Sequence, residues 1–206
     1  MPEMPLFISF HTPEPRYVKA SARMEESLNL FNLPYDIRTL PSLECWNLNC
    51  CIKPKFILSM LEAYPEQDRM IWIDADAQVL QYPEHFKHIE ADMAAVMVDN
   101  HHGLFASIIF VRNNQQVRDL IKRWIKLTEK DPYKYTGDQI HLHNLISYDN
   151  KAVIFEELPK EYSYCTGIMS IDIAPIILQH QASIEGRKEF TTCPHCMNGP
   201  YGSVTI

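Results

Sequence analysis

Short apolar runs alternate with segments of helical periodicity in the N-terminal part of the chain. Residues 6–10 predict a buried strand, and apolar side chains at helical spacing predict a helix over about residues 16–32. A second strand is expected at residues 35–40, a second helix at residues 54–64 and a third strand at residues 70–73. This alternation predicts an α/β fold with a mostly parallel central sheet flanked by helices.

The remaining elements are spaced less regularly. Further strands are predicted at residues 93–98, 105–111, 152–155 and 176–178, and further helices at residues 117–128, capped by Asn113 or Asn114, and 137–146. No linker-like stretch divides these segments, so we expect one domain over residues 1–189. Residues 190–206 contain Cys193-Pro194-His195-Cys196 and turn-forming residues, and they are predicted to form an irregular tail.

Composition and charge restrict the classes of partner. The chain has 206 residues and a net charge of −7, which gives no general attraction to nucleic acids or anionic membranes. No apolar run is long enough to span a bilayer, and the first residues lack the features of a secretory signal. We therefore expect a cytoplasmic protein whose six cysteines are reduced.

Two aspartates follow the apolar strand predicted at residues 70–73. Asp74 and Asp76 are separated by one residue, and positions i and i+2 of extended backbone point to the same side. Ligands of open α/β sheets bind beyond the carboxyl ends of the strands. Two converging carboxylates suit a hard divalent cation, Mg²⁺ or Mn²⁺, which can bridge to the oxygens of a diphosphate.

The Asp-x-Asp pair also occurs in sites of different chemistry. A calcium-binding EF-hand loop beginning at Asp74 would need glycine and glutamate where the chain has Val79 and His85, so it is excluded. Haloacid-dehalogenase-type phosphatases also carry Asp-x-Asp after an apolar strand, but they require Thr or Val where Gln78 stands. A phosphohydrolase that uses Asp74, and a solvated pair of loop aspartates, remain as alternatives.

The order of several segments resembles the GT-A fold nucleotide-diphospho-sugar glycosyltransferases, and within them the glycogenin-like branch. The resemblance is patchy over about residues 6–182, and it is carried by Lys53-Pro54-Lys55-Phe56, Ile71 to Ala77, Phe105 to Val111, Gly137-Asp138-Gln139 and Leu178-Gln179-His180. It implies a Rossmann-like sheet and a metal-dependent enzyme that transfers a sugar, with a UDP-sugar favoured as donor, to an unidentified hydroxyl acceptor. A non-catalytic module that binds a nucleotide sugar is a further alternative.

The resemblance also implies roles for individual residues. Asp74, Asp76 and His180 would bind Mn²⁺ or Mg²⁺, and Asp138 would act on sugar hydroxyls or as a base toward the acceptor. His11 and Thr12 would contact the nucleotide, and Lys55 the sugar or diphosphate. Ser107 would contact the donor, at the place where the family strand often has Asn-Ser-Gly. Ala106 and Ile108 replace its neighbours there, which leaves the donor sugar and the stereochemistry open. Arg187 or Lys188 would clamp the diphosphate.

Each of these assignments has a purely structural alternative. His180 could be a hydrogen-bonded strand-end histidine, Lys55 a solvated helix lysine, and Asp138 a helix N-cap. His11 and Thr12 could simply form the turn before Pro13. Cys193 and Cys196 are spaced as zinc ligands, but structural zinc needs four ligands, so the segment could equally be an exposed, reduced tail.

Overall fold

A six-stranded sheet forms the centre of the computed structural model, which describes residues 3–98, 103–133, 137–148, 153–166 and 168–182. The strands are β1 (Leu6–His11), β2 (Tyr35–Thr39), β3 (Arg69–Ile73), β4 (Ala77–Val79), β5 (Met93–Val98), β6 (Gly103–Arg112), β7 (Phe155–Leu158), β8 (Tyr164–Cys165) and β9 (Ile177–Gln179). The helices are α1 (Pro15–Leu30), α2 (Trp46–Cys51), α3 (Lys53–Ala63), α4 (Gln115–Lys130) and α5 (Gly137–Tyr148). Short 3₁₀ helices occupy Glu84–Lys87 and Lys160–Ser163.

The strand order of the large sheet is β2-β1-β3-β6-β5-β7. The pairs β1–β2, β1–β3 and β5–β7 are parallel, whereas β6 runs antiparallel to both of its neighbours. The predicted α/β fold with a mostly parallel sheet is therefore confirmed. Because β1, β2 and β3 are parallel, their carboxyl ends lie at one edge of the sheet.

Two apolar clusters cover the two faces of this sheet. Met70 and Trp72 of β3 belong to a cluster with α3, α4 and α5, whereas Ile71 and Ile73 belong to a second cluster with α1 and the small sheet. All four side chains are almost fully buried. Alternate residues of a strand point to opposite faces, so the continuous apolar run before Asp74 follows from burial on both sides.

A second, three-stranded sheet has the strand order β4-β9-β8, and its first strand, β4, begins directly after Asp76. Strand β4 pairs antiparallel with β9, with Ala77 opposite Gln179. This pairing brings a segment about a hundred residues later in the chain next to the aspartate pair. As a result, His180 donates its backbone N–H to the carbonyl of Asp76 at 3.1 Å.

Most predicted elements agree with the structure within a few residues. Asn114 caps α4, since its side chain accepts the N–H of Val117 at 2.9 Å, whereas the side-chain amide of Asn113 donates to carbonyls at the end of α3. The strand predicted at residues 152–155 was wrong in its placement: the strand is β7, which begins at Phe155. Helix α2 and the short strands β4 and β8 were not predicted.

No helix in the part of the chain that the structure describes is long and apolar enough to cross a membrane. Within the same ranges, Cys45, Cys50, Cys51 and Cys165 are free thiols. The predicted tail at residues 190–206, with Cys193 and Cys196, lies outside the described residues.

A small polar cluster joins β2 to the end of α3. The carboxylate of Asp36 accepts a hydrogen bond from Arg38 at 2.8 Å and one from the Tyr64 hydroxyl at 2.7 Å. The hydrogen bond from Arg38 lowers the pKa of Asp36, against a smaller opposing effect of burial. The native state therefore favours the charged form of this carboxyl group.

We expect the Asp36→Asn substitution to reduce the free energy of unfolding by about 1 kcal/mol at neutral pH, the usual contribution of such hydrogen bonds. A lowered native pKa stabilises the fold above the ordinary pKa of 3.8, and the effect is lost as the pH falls through the native value. The difference between wild type and variant should therefore shrink in urea denaturation series below that pH. Asp119→Asn on the exposed surface of α4 is the control, and a difference that stays constant down to about pH 2 would contradict the argument.

Candidate functional site

Asp74 and Asp76 lie at the carboxyl end of β3, and both line one cavity. They occupy a turn, because the N–H of Ala77 donates to the carbonyl of Asp74 at 3.0 Å. The sequence argument assumed extended backbone where the structure has a turn. Both residues line one cavity, and the convergence of their carboxylates on one cation remains a prediction. The N–H of Asp74 donates to the carbonyl of Ser107 at 2.9 Å, which fixes the start of the turn against β6.

The carboxylate of Asp74 is held by two donors through one oxygen. Its Oδ1 accepts the indole N–H of Trp72 at 2.8 Å and lies 3.1 Å from the ammonium nitrogen of Lys53. Burial raises the pKa of Asp74, and the positive charge of Lys53 opposes that effect only in part. The carboxylate is thus fixed in orientation and partly removed from water.

Lys53 is the central cation of the site, although it was not predicted. Its side chain is buried, and its Nζ lies 2.9 Å from Oδ2 of Asp138 and donates to the carbonyl oxygen of Ala106 at 2.9 Å. Together with Asp74, these acceptors account for the three N–H donors of an ammonium group. Burial alone would lower the pKa of Lys53, but the charges of Asp138 and Asp74 outweigh it and raise the pKa overall.

Asp138 lies in the first turn of α5, and its side chain is buried against Lys53. The indole N–H of Trp124, a core residue of α4, donates to the backbone carbonyl of Asp138 at 2.8 Å. The start of α5 is therefore held by α4 through its backbone and by α3 through its side chain. Asp138 does not line the cavity, and its predicted catalytic role remains a prediction.

Asp76 is attached to the segment that follows β9. Its Oδ2 accepts the backbone N–H of Ala182 at 2.7 Å, and its carbonyl accepts the N–H of His180. Burial, followed by the negative charge of Asp74, raises the pKa of Asp76 to about 6. The two carboxylates therefore repel each other, which is the electrostatic situation that a bound cation would relieve.

The imidazole of His180 does not join the two carboxylates. Its Nε2 lies 2.9 Å from Oε1 of Gln78, the ring is largely exposed, and burial followed by the charge of Arg23 lowers its pKa. Only its backbone contacts Asp76. Within the described ranges, no group of three or more His, Cys, Asp or Glu side chains is close enough to hold a metal ion.

The oxygen donors of the two aspartates are of the type that Mg²⁺ accepts, and a metal shared between them remains a prediction. The hydrogen bonds of the two side chains engage Oδ1 of Asp74 and Oδ2 of Asp76, one oxygen on each group. Mg²⁺ is commonly bound through one or two carboxylates together with substrate phosphates, and it keeps several waters. A third protein ligand is therefore not required for the predicted chemistry.

The cavity beside the aspartates has polar and aromatic walls. Its volume is about 140 Å³, or about 660 Å³ with the open space at its mouth. It is lined by Phe10, His11, Thr12, Tyr17, Trp46, Asn49, Cys50, Lys53, Trp72, Asp74, Ala75 and Asp76. The enclosed part is smaller than the roughly 300 Å³ of typical small-molecule pockets, so it suits one portion of a larger ligand that extends through the mouth.

His11 and Thr12 lie where the sequence placed them, in the cavity wall at the end of β1. The Nδ1 of His11 lies 3.0 Å from the carbonyl of Thr12 and its Nε2 lies 3.1 Å from the hydroxyl of Thr39, contacts that a ring protonated at Nδ1 satisfies. The hydroxyl of Tyr17 is buried and has no hydrogen-bond partner in the described part of the chain. Burial raises the pKa of Tyr17, so this hydroxyl stays protonated and can donate to a ligand.

Two other predicted residues, Lys55 and Ser107, do not line the cavity. Lys55 is on the exposed side of α3, where its ammonium lies 2.8 Å from Glu129, and it does not line the cavity. Ser107 contacts Asp74 only through its backbone, because its hydroxyl is hydrogen-bonded to that of Ser163. Arg187, like Lys188, lies outside the described residues. The ligand-binding roles of these residues remain predictions, which the geometry does not support for Lys55 and Ser107.

The sequence did contain a signal for Lys53. Residues 53, 56, 57, 60 and 61 are spaced as one face of a helix, and the last four are the apolar stripe by which α3 packs into the core. Lys53 therefore occupies a core position, where a lysine is found only with charged partners. Lys55 is two residues away, about 200° around the helix, and faces solvent.

A larger depression of about 460 Å³ lies at the opposite end of β3, between Asp68, Arg69, Lys87, His88, Ile89, Glu90 and Arg112. Its arginines are already bonded to the protein: Arg69 donates to the carbonyls of Lys87 and Glu3, and Arg112 to Asp68 and the carbonyls of Ile89 and Glu90. We therefore place the functional site at the aspartate cavity, where the desolvated charges lie.

Solved structures with a similar fold include glycosyltransferases. A glycosyltransferase involved in the glycosylation of the major capsid of PBCV-1 superposes with a TM-score of 0.66 over 93% of this chain and 100% of its own, at 11% sequence identity. The glycosyltransferase GlyE of Streptococcus pneumoniae TIGR4 superposes with a TM-score of 0.57 at 14% identity, and its apo form gives the same TM-score. The match includes 85% of this chain but only 54% of GlyE.

The chain therefore has a glycosyltransferase fold, as the resemblance predicted. No protein-family model and no curated protein sequence matches it. At such low identities the structural likeness shows the fold, and the chemistry of this chain has to be argued from its own residues.

We expect Lys53→Met to reduce the free energy of unfolding by about 3 kcal/mol, because removal of one partner leaves buried carboxylates uncompensated. Most of this loss of stability should come from the unpaired carboxylate of Asp138, because its side chain is only 7% exposed, compared with 32% for Asp74. Lys55→Met is the matched control on the same helix, and its exposed pair with Glu129 should contribute less than about 1 kcal/mol. Urea denaturation measures both.

The double variant Lys53→Met/Asp138→Asn separates charge from packing. Neutralising the orphaned carboxylate should recover part of the lost stability, because the penalty comes from an unpaired buried charge. Equal stabilities of the two single lysine variants, or no recovery in the double variant, would contradict the central position of Lys53.

Proposed function

We propose that the protein is a metal-dependent glycosyltransferase that transfers a sugar from a nucleotide-diphosphate sugar, with a UDP-sugar favoured, to a hydroxyl acceptor. The observation that carries the proposal is the meeting of Asp74 and Asp76 at one cavity, next to the buried cation Lys53. The glycosyltransferase fold supports this activity over the phosphohydrolase alternative, since the similar structures named above are glycosyltransferases.

The proposed donor site extends from the aspartates to the end of β1. Asp74 and Asp76 would hold Mn²⁺ or Mg²⁺, which when bound neutralises charge on the diphosphate and on the departing nucleotide. His11 and Thr12 would contact the nucleotide, and the faces of Trp46 and Tyr17 offer aromatic surface for the base. The protonated hydroxyl of Tyr17 would donate to the bound nucleotide or its diphosphate.

Lys53 and Asp138 would organise the sugar end of the donor. The ammonium of Lys53 lies within hydrogen-bond distance of both Asp74 and Asp138, so it fixes the separation between the metal-binding aspartate and Asp138. Asp138 would accept hydrogen bonds from sugar hydroxyls or take a proton from the acceptor, as the resemblance implies. Because Asp138 is buried against Lys53, this role would require a ligand to reach its carboxylate from the cavity that Lys53 lines.

The decisive experiment measures release of UDP or GDP from a panel of nucleotide sugars, with and without Mn²⁺. We expect metal-dependent nucleotide binding and slow hydrolysis of at least one donor by the wild-type protein. Asp76→Asn should reduce the metal-dependent binding and the hydrolysis by at least about tenfold each. Loss of a residue that only supports a metal ligand typically lowers metal affinity or activity by about tenfold or more, and Asp76 is proposed as a ligand itself. Asp172→Asn in an exposed loop is the matched control.

The possible results distinguish the competing functions. Turnover of Asp76→Asn equal to that of the wild type would refute the proposed role of the aspartate pair. Metal-dependent binding of UDP without consumption of any donor, even with hydroxyl acceptors present, would indicate a non-catalytic binding module. A covalent aspartyl-phosphate at Asp74 would instead support the phosphohydrolase.

A further inference from the structure

Trp72 contacts both members of the ion pair at the centre of the site. Its indole N–H donates to Oδ1 of Asp74 at 2.8 Å, and the ammonium of Lys53 lies 5.4 Å from the centre of its ring. A cation at that distance is within the range at which an aromatic face attracts it. Trp72 also lines the cavity, although only 2% of its surface is exposed.

The ring of Trp72 is itself fixed by its neighbours. It packs against Phe10 and Phe56 at centroid distances of 5.4 and 5.8 Å, in the apolar cluster beneath α3. A side chain held on this rigid surface presents its N–H in one direction. The hydrogen bond to Asp74 therefore does not depend on the ordering of a loop or of a ligand.

The hydrogen bond from Trp72 determines which carboxylate oxygen of Asp74 remains for a ligand. Oδ1 is occupied by the indole and by Lys53, so the carboxylate cannot rotate without breaking two contacts at once. Partners of this kind orient metal-binding side chains in many proteins and are important for affinity. Asp74 has the remaining oxygen, Oδ2, in a fixed orientation for a cation.

We propose that Trp72 is a positioning residue that orients the carboxylate of Asp74 for metal-dependent nucleotide binding. The proposal rests on the proposed function, because it assigns Trp72 a task at the same site. It goes beyond that function by identifying a residue, two positions before the aspartate, that acts through the aspartate and not on the substrate.

This role is tested by measuring the dissociation constant of UDP without Mn²⁺ and with Mn²⁺. The ratio of the first value to the second reports how much the metal strengthens nucleotide binding. Trp72→Phe keeps an aromatic ring but removes the indole N–H, and we expect it to reduce the ratio by about tenfold, the usual effect of losing an outer-shell partner. Ile121→Ala is the matched control, because Ile121 is buried in the same apolar cluster and does not line the cavity. It should lower stability without changing the ratio.

A double-mutant comparison separates positioning from packing. In an Asp74→Ala background the indole has no carboxylate to orient, so Trp72→Phe should have no further effect on the ratio. Asp74→Asn retains an acceptor for the indole, and Trp72→Phe should then again have an effect. An unchanged ratio in Trp72→Phe alone, or an equal loss in the Asp74→Ala background, would overturn the proposal.

The hydrogen bond has a direct spectroscopic signature. The chain has three tryptophans, and the indole N–H resonance of Trp72 is identified by its loss in Trp72→Phe. We expect Asp74→Ala to shift this resonance far more than those of Trp46 and Trp124, and absence of such a shift would also overturn the proposal. If the wild-type protein shows no metal-dependent gain in UDP binding, the proposed function itself fails, before any variant is compared, and the role of Trp72 fails with it.

Discussion

The ammonium group of Lys53 is the interaction on which the arrangement of the site depends. Its three acceptors come from three different parts of the fold: Asp74 after β3, Asp138 in α5, and the carbonyl of Ala106 in β6. One cation at the start of α3 thus ties a helix terminus to two strands and a second helix. Without it, two desolvated carboxylates would lie close together with no opposite charge between them. The start of α5 and the turn after β3 would then be held by hydrogen bonds of their backbone groups, to Trp124 and to β6 respectively.

The remaining contacts of the site show how far apart in the sequence its parts are. Asp76 is held by backbone groups of residues 180 and 182, through the pairing of β4 with β9. The small three-stranded sheet therefore fixes, on one side of the site, the segment that bonds to the second aspartate, although none of its strands lines the cavity. The large sheet provides the other side, where β1 and β3 end together and present Thr12 and Asp74 to the same space.

The sequence predicted what depends on local pattern and missed what depends on long-range contacts. Strand β3 and helix α4 were recognised because burial on two faces and a polar cap leave clear local signals. The strand near residue 153 was misplaced because Val153 and Ile154 are apolar but precede the sheet: the N–H of Ile154 donates to the side chain of Asp92, and strand pairing begins with Phe155 opposite Met93. The resemblance singled out Lys55, whereas helical phase decides which lysine is buried and places Lys53 at the site.

The charges of the site connect the fold to its proposed chemistry. Asp74, Asp76 and Asp138 carry three negative charges when ionised, and Lys53 supplies one positive charge, so these four residues retain an excess of two negative charges. Holding this excess is unfavourable, because burial and the repulsion from Asp74 raise the pKa of Asp76 to about 6. A fold selected only for stability has no need of such a cluster at the end of a buried strand, because apolar residues of similar volume would serve it as well or better. The uncompensated charge therefore supports the proposal of a ligand that brings positive charge with it, and a divalent cation bound together with a diphosphate would have that property.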